Sequence, residues 1–196
     1  MIHEYISYSF DSNVYVVEDS KTILIDAGTG MTDSLRRFIT SFKIDLVVNT
    51  HCHIDHVGGD PENVPIAIGE KDADDLEKGT EKTVYDFLMP FFKGFKVSKR
   101  LKEGDTIETE NYRLEVLHTP GHTEGSICLY DEAKKIIFSG DTLFIDGIGR
   151  TDLPSGDEKE LKRSLERLAD LEIEKVYPGH GESGECDINR IIEMWF

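Results

Sequence analysis

Hydrophobic and polar positions alternate in three short runs near the start of the chain, MIHEYISYS, NVYVVED and TILIDAG, separated by turn residues. A period of two rich in β-branched and aromatic residues predicts strands, and their closeness predicts an antiparallel N-terminal sheet. The period then lengthens. Leu35, Phe38, Ile39 and Phe42 recur at helical spacing and mark a helix ahead of the strand IDLVVNT. A short strand, VPIAIG, comes next, and residues 70–93 are expected to be helical, with Asp72 and Thr80 as caps and Gly79 as a break. Two strand pairs follow: DTIETENYRLEVLH, turning at Glu110–Asn111, and SICLYDEAKKIIFSGD, turning at Asp131–Ala133. Leu161, Leu165, Leu168 and Leu171 mark a further helix, before the strand EKVYPGH and a short final helix.

Strands therefore fall in two clusters, one before and one after the middle, each accompanied by helices. No linker, low-complexity tract or fixed-period repeat divides them. The expectation is one α/β domain spanning 1–196, with two facing sheets and helices outside.

Composition changes this picture in two ways. The content of 38% hydrophobic and 31% charged residues is ordinary for a globular chain, but the net charge of −17 is not. So acidic a surface repels phosphate backbones and anionic lipid, which argues against nucleic acid and membrane partners. The three cysteines, Cys52, Cys128 and Cys186, are odd in number and far apart, as in a reduced cytoplasmic protein rather than a disulfide scaffold. The start of the chain shows neither the basic nor the apolar region of a signal peptide, and no apolar run reaches membrane-spanning length. A cytoplasmic location is expected.

Candidate chemistry concentrates in THCHIDHVGG, residues 50–59, where three of the seven histidines stand within six positions. In extended backbone His51 and His53 point to one side and can grip one metal ion. Asp55 and His56 follow where the chain turns and can address a second. Imidazole and carboxylate are the donors that zinc and iron prefer. Three other strand ends run into glycine-flanked polar residues: LHTPGHTEGS with His118 and His122, FSGDTLF with Asp141, and VYPGHG with His180.

THCHIDH, TPGHT, SGDT and PGHG, in this order, resemble the motifs of the metallo-β-lactamase superfamily, and the likeness extends over nearly the whole chain, LIDAG at 24–28 included. The resemblance implies an αββα sandwich of two mixed sheets. It implies that His51, His53 and His122 bind one divalent ion, that Asp55, His56 and His180 bind another, and that Asp141 bridges them; zinc is the first expectation, with iron or manganese as alternatives. His56 and the stretch GDTLFIDGIGRTDLPSGD are similar to the glyoxalase II-like thioesterase branch and to the related persulfide dioxygenases. A glyoxalase II carries a helical C-terminal domain that helps hold glutathione, whereas 16 residues follow His180 here, which leaves the thiol carrier open.

The implied activity is binuclear hydrolysis of a small acyl-thioester by a metal-bound hydroxide, with Asp55 orienting the hydroxide as well as ligating. A mononuclear iron persulfide dioxygenase using His51, His122 and Asp141 is the alternative, and a metal-dependent nuclease fits the acidic charge poorly. Several residues keep two readings. Arg150 is a substrate carboxylate anchor or a solvated surface arginine. Asp26 hydrogen-bonds a ligand imidazole or caps the following turn. His118 stands beside the ligands or is merely structural, and Cys52 faces away from the metal into apolar surroundings. Segment 84–102 joins Phe87, Phe91 and Phe92 to Lys93, Lys96, Lys99, Arg100 and Lys102. It is expected either to pack as a helix with a solvated basic end, or to form a lid over the site or a homodimer contact.

Overall fold

The computed structural model describes residues 1–84, 89 and 91–196. The first sheet contains β1 (Ile2–Tyr5), β2 (Val14–Val17), β3 (Ile23–Ile25), β4 (Leu46–Asn49), β5 (Ile66–Gly69) and β6 (Lys99–Leu101), hydrogen-bonded in that order. The second contains β7 (Thr106–Glu108), β8 (Arg113–His118), β9 (Ile127–Asp131), β10 (Ile136–Gly140) and β11 (Lys175–Pro178), in the spatial order β11-β10-β9-β8-β7. Both sheets are mixed. The β1–β2 and β2–β3 pairs are antiparallel, as the alternating N-terminal runs predict, but β3 through β6 pair in parallel. In the second sheet only β10 and β11 are parallel.

Period-two alternation accounts for the layers. Tyr15, Val17, Ile23, Ile25 and Val48 point inward and meet Val116, Ile127, Leu129, Phe138 and Tyr177 of the facing sheet. Their sequence neighbours Val14, Val16, Leu24 and Val47 point outward, against Leu35 and Ile39 of helix α1 (Asp33–Thr40) and Leu76 of α3 (Glu70–Lys78). On the far side, Cys128, Tyr130, Ile137 and Val176 pack against Leu161, Leu165 and Leu168 of α4 (Glu158–Ala169) and Ile188 and Ile191 of α5 (Ile188–Trp195). The result is the expected αββα order. Phe138 anchors its middle, fully buried, with its ring stacked 4.8 Å from Tyr177; truncation to Ala would cost about 3–5 kcal/mol.

Two expectations need correction. The helix expected over 70–93 ends at Lys78, because Gly79 takes a left-handed conformation (φ +56) and closes the last turn by donating to the Asp75 carbonyl. Thr80 then caps a single 3₁₀ turn, Glu81–Thr83. Asp72 is not a cap; it lies inside α3 with its side chain buried. Strand β6 is absent from the pattern because it is a charged edge, with Lys99 and Arg100 exposed and only Leu101 buried.

Candidate metal centre

Strand ends from both sheets converge at one edge of the sandwich. After β4 the chain bends at Thr50 and His51, is extended at His53, and then makes one helical turn, α2 (Ile54–Val57), which carries Asp55 and His56. His51 and His53 face the same donor group, while Cys52 is fully buried in the outer core of the first sheet, as expected. From the second sheet come His122 after β8, Asp141 directly after β10 and His180 after β11.

All seven candidate donors meet. His51, His53 and His122 form one group, His51, His56 and Asp141 a second, and Asp55, His56 and His180 a third, each with donor atoms within 4.8 Å of one another. His118 joins none of them: its Nε2 lies 2.9 Å from the Glu124 carbonyl. Asp141 sits between the groups, with Oδ1 3.3 Å from His56 Nε2 and Oδ2 3.5 Å from His122 Nε2 and 3.6 Å from His180 Nε2. Gly179 permits this closeness, since a β-carbon there would lie 2.1 Å from Asp141 Oδ1 and 2.7 Å from His56 Cε1.

The donor set fits divalent ions. His51 Nε2 and His53 Nε2 are buried without a hydrogen-bond partner among the described residues. Such orphaned atoms are costly unless something else satisfies them. His122 Nε2 and His53 Nδ1 lie 2.9 Å apart, within hydrogen-bonding distance in the absence of an ion and close enough for both to ligate one ion beside them. Burial and the neighbouring imidazoles hold His51 well below its usual value, and burial with His122 pulls His53 down to about 3, so both offer lone pairs at neutral pH. Around His56, burial opposes charge but Asp141, Asp26 and Asp55 outweigh it and hold the imidazole up. His180 is likewise raised by Asp141 and Asp55 against burial, and Asp141 is held low by His56 and His180 despite its burial.

A supporting shell fixes these rings. Asp26 Oδ2 lies 2.8 Å from His56 Nδ1, and its carboxylate also accepts from the Thr50 amide and hydroxyl, both at 2.8 Å. Of the two readings of Asp26, the structure shows the bond to an imidazole, which orients His56. The Arg150 carbonyl lies 2.7 Å from His122 Nδ1. Arg150 lines the cavity over the site, yet its guanidinium makes two 2.7 Å bonds to Asp152. Two contributors escape the sequence reading. Buried Asp72 accepts from the Cys52 amide at 2.9 Å and the Thr123 hydroxyl at 2.8 Å, tying the loop of His51 and His53 to that of His122. Asn13 donates to the carbonyls of Pro178 and Gly181, 3.0 and 2.7 Å away, and holds the turn carrying His180. An acid one turn into a helix resembles an N-terminal dipole partner, and nothing marks an asparagine at a strand start, so neither showed its task.

The expected lid divides. Phe87 lies outside the described residues. Phe91 is exposed, Phe92 packs on the outer core of the first sheet, and neither lines the cavity over the donors; Val84 does. Arg100 pairs with Asp74 and Glu77 and Lys102 approaches Glu70, so two of the cluster's cations meet acids of α3.

Fold and donor set together define a metal-binding αββα sandwich. The chain belongs to the metallo-β-lactamase superfamily, whose family model matches residues 8–180. It is 40% identical over 200 residues to the "Probable metallo-hydrolase MJ0888" of Methanocaldococcus jannaschii, covering 94% of this chain and 95% of that one. It is 32% identical to the acyl-coenzyme A thioesterase MBLAC2 of Homo sapiens over 86% of this chain and 72% of the relative. Among solved structures, TTHA1623 in a di-iron-bound form is 30% identical with a TM-score of 0.77, covering 93% of this chain and 94% of that one.

Proposed function

We propose that this metallo-hydrolase cleaves small acyl-thioesters with two metal ions, one held by His51, His53 and His122 and the other by Asp55, His56 and His180, with Asp141 shared. The convergence of seven donors in three overlapping groups, five of the donors lining a cavity of about 450 Å³, carries the reading. When bound, a pair of divalent ions supplies an activated water near neutral pH and a positive centre for charge developing on the carbonyl oxygen.

The chain's own groups do the positioning. Asp55, 26% exposed and facing the cavity, accepts a hydrogen bond from the attacking water and orients it. Arg150 through its carbonyl and Asp26 through its carboxylate keep His122 and His56 aimed inward. Water adds to the thioester carbon, the carbon–sulfur bond breaks, and a carboxylic acid and a thiol leave. The likeness to an acyl-coenzyme A thioesterase supports the substrate class, and a di-iron neighbour supports two ions while leaving zinc, iron and manganese open.

Elemental analysis of protein purified from its own organism, paired with thioester and oxygen-electrode assays, tests this. Two ions per chain and thioester cleavage without oxygen uptake are expected. One iron per chain, with oxygen consumed on adding a persulfide and no thioester cleaved, would reassign the chain as a dioxygenase.

A further inference from the structure

The cavity lining is of two kinds: the donors His53, Asp55, His122, Asp141 and His180, and an apolar surface to which Val84, Phe144, Ile148 and Leu153 contribute beside Ile54. All four of these apolar side chains are partly exposed. Among the described residues Val84, Phe144 and Leu153 join none of the three hydrophobic cores, so the carbon surface they show is not core overflow. The loop carrying Phe144 and Ile148 is held in shape: Leu143 and Ile148 bridge, Phe144 donates to the Gly147 carbonyl at 2.9 Å, and Leu143 is buried in the second sheet's outer core. The Phe144 ring stands 6.2 Å from the His180 ring, so this apolar surface begins where the donors end. Val84 holds its place in a left-handed conformation (φ 54), which a β-branched residue adopts only at a cost.

We infer that this apolar surface is an acyl-chain subsite, and that the preferred substrates are thioesters of unsubstituted aliphatic acids rather than of hydroxy acids. The inference rests on the thioesterase reading and specifies which acyl group that site takes. Polarity separates the two kinds of substrate. Among the described lining residues Arg150 is the one cation besides the histidines, and it is already paired with Asp152. An anionic acyl group turned away from the metal donors, toward Val84, Ile148 and Leu153, would find no free protein countercharge, and a hydroxyl held against these side chains would lose its hydrogen bonds to water without replacement. Methylene groups gain by the same contacts, each by about fourfold in binding while apolar surface is left to cover.

The test uses metal-loaded protein and one thiol carrying acetyl, butanoyl, hexanoyl or 2-hydroxypropanoyl groups. The expected kcat/KM rises about fourfold per methylene from acetyl to butanoyl, with the 2-hydroxypropanoyl ester below butanoyl. In parallel, calorimetry measures ketone isosteres of the butanoyl and hexanoyl esters, in which CH₂ replaces sulfur and no turnover occurs. Affinity should rise with chain length in the wild type and stay flat in Leu153→Asn, which keeps side-chain size but not its apolar surface. Chain-length-independent isostere binding by the wild type would overturn the subsite, whether or not any ester is cleaved. Turnover with no chain-length trend, or best with the hydroxy acid, would overturn it while leaving the thioesterase reading intact. Failure to cleave any ester despite graded isostere binding would instead sink the thioesterase reading.

Discussion

The two candidate metal sites are built from the same donor types but differ in enclosure. His51, His53 and His122 are 1%, 3% and 2% exposed, and their rings form a near-equilateral triangle with centroids 4.6–4.7 Å apart. In the second set only His56 is fully buried; the side chains of His180 and Asp55 are 33% and 26% exposed, and the His56 and His180 rings are 5.3 Å apart. The first set is three imidazoles, two of them depressed by burial and by neighbouring imidazoles. The second contains a carboxylate of its own and sits against two more, Asp26 and Asp141. Enclosure would make the first set a rigid grip on an ion, whereas openness at the second would leave room for water and substrate. Catalytic sites keep such an open position and structural ones do not.

This contrast is broken most severely by removing one histidine from each side. His122→Ala takes away the arm that the second sheet lends to the buried triangle, and leaves His51 and His53 facing an apolar-sized hole. Loss of bound metal and of nearly all activity is expected. His180→Ala removes the exposed donor of the open set and should leave about one of two ions per chain in place. Elemental analysis of both variants after gel filtration checks this; equal metal loss in the two would show that the sites are not graded as their burial suggests.

A finer break targets the shell behind the second set. Asp26 carries its neighbour Thr50 as well as His56, so Asp26→Asn preserves hydrogen bonding to the loop while weakening the hold on the imidazole. Affinity for the more weakly held ion should fall by about 10–100-fold, as for comparable outer partners of metal-bound histidine. Competition against a chromophoric chelator reads it, and the tighter ion should be displaced at an unchanged chelator concentration. A uniform weakening of both ions would mean that Asp26 acts through the fold and not through His56.

Much of this contrast is visible in the sequence, though unevenly. THCHIDH is contiguous, so spacing alone brings His51, His53, Asp55 and His56 together. His122, Asp141 and His180 lie on separate strand ends of the second sheet, and their convergence is a property of topology; only the repeated strand-then-glycine pattern hints at it. The layers were legible because alternation in NVYVVED and KKIIF maps onto inner and outer cores. What was not legible is structure set by non-local partners. The charged edge strand β6 has no apolar period to read, and the helix over 70–93 was overextended past Gly79, a C-cap whose left-handed turn competes with continued helical spacing. The work of Asp72 and Asn13 depends on backbone groups 20 and 165 residues away, which no local pattern records.

The smallest effect sharpens the contrast from outside it. His118 and His122 flank the same Pro–Gly turn, but only His122 enters the buried triangle. The His118 ring is part-buried and satisfied by one backbone carbonyl, that of Glu124, while its own amide and carbonyl are held by Glu103 and Arg167. His118→Ala removes the ring contact and leaves both main-chain contacts in place. One such hydrogen bond contributes about 0.5–1.5 kcal/mol, which for a chain of this size lowers Tm by about 1–6 °C. Metal content should stay at the wild-type value, and thioester turnover should change little, because no donor atom moves. Thermal melting and elemental analysis on the same preparation check both halves. Metal loss comparable to that of His122→Ala would place His118 among the ligands and undo the assignment of the buried triangle.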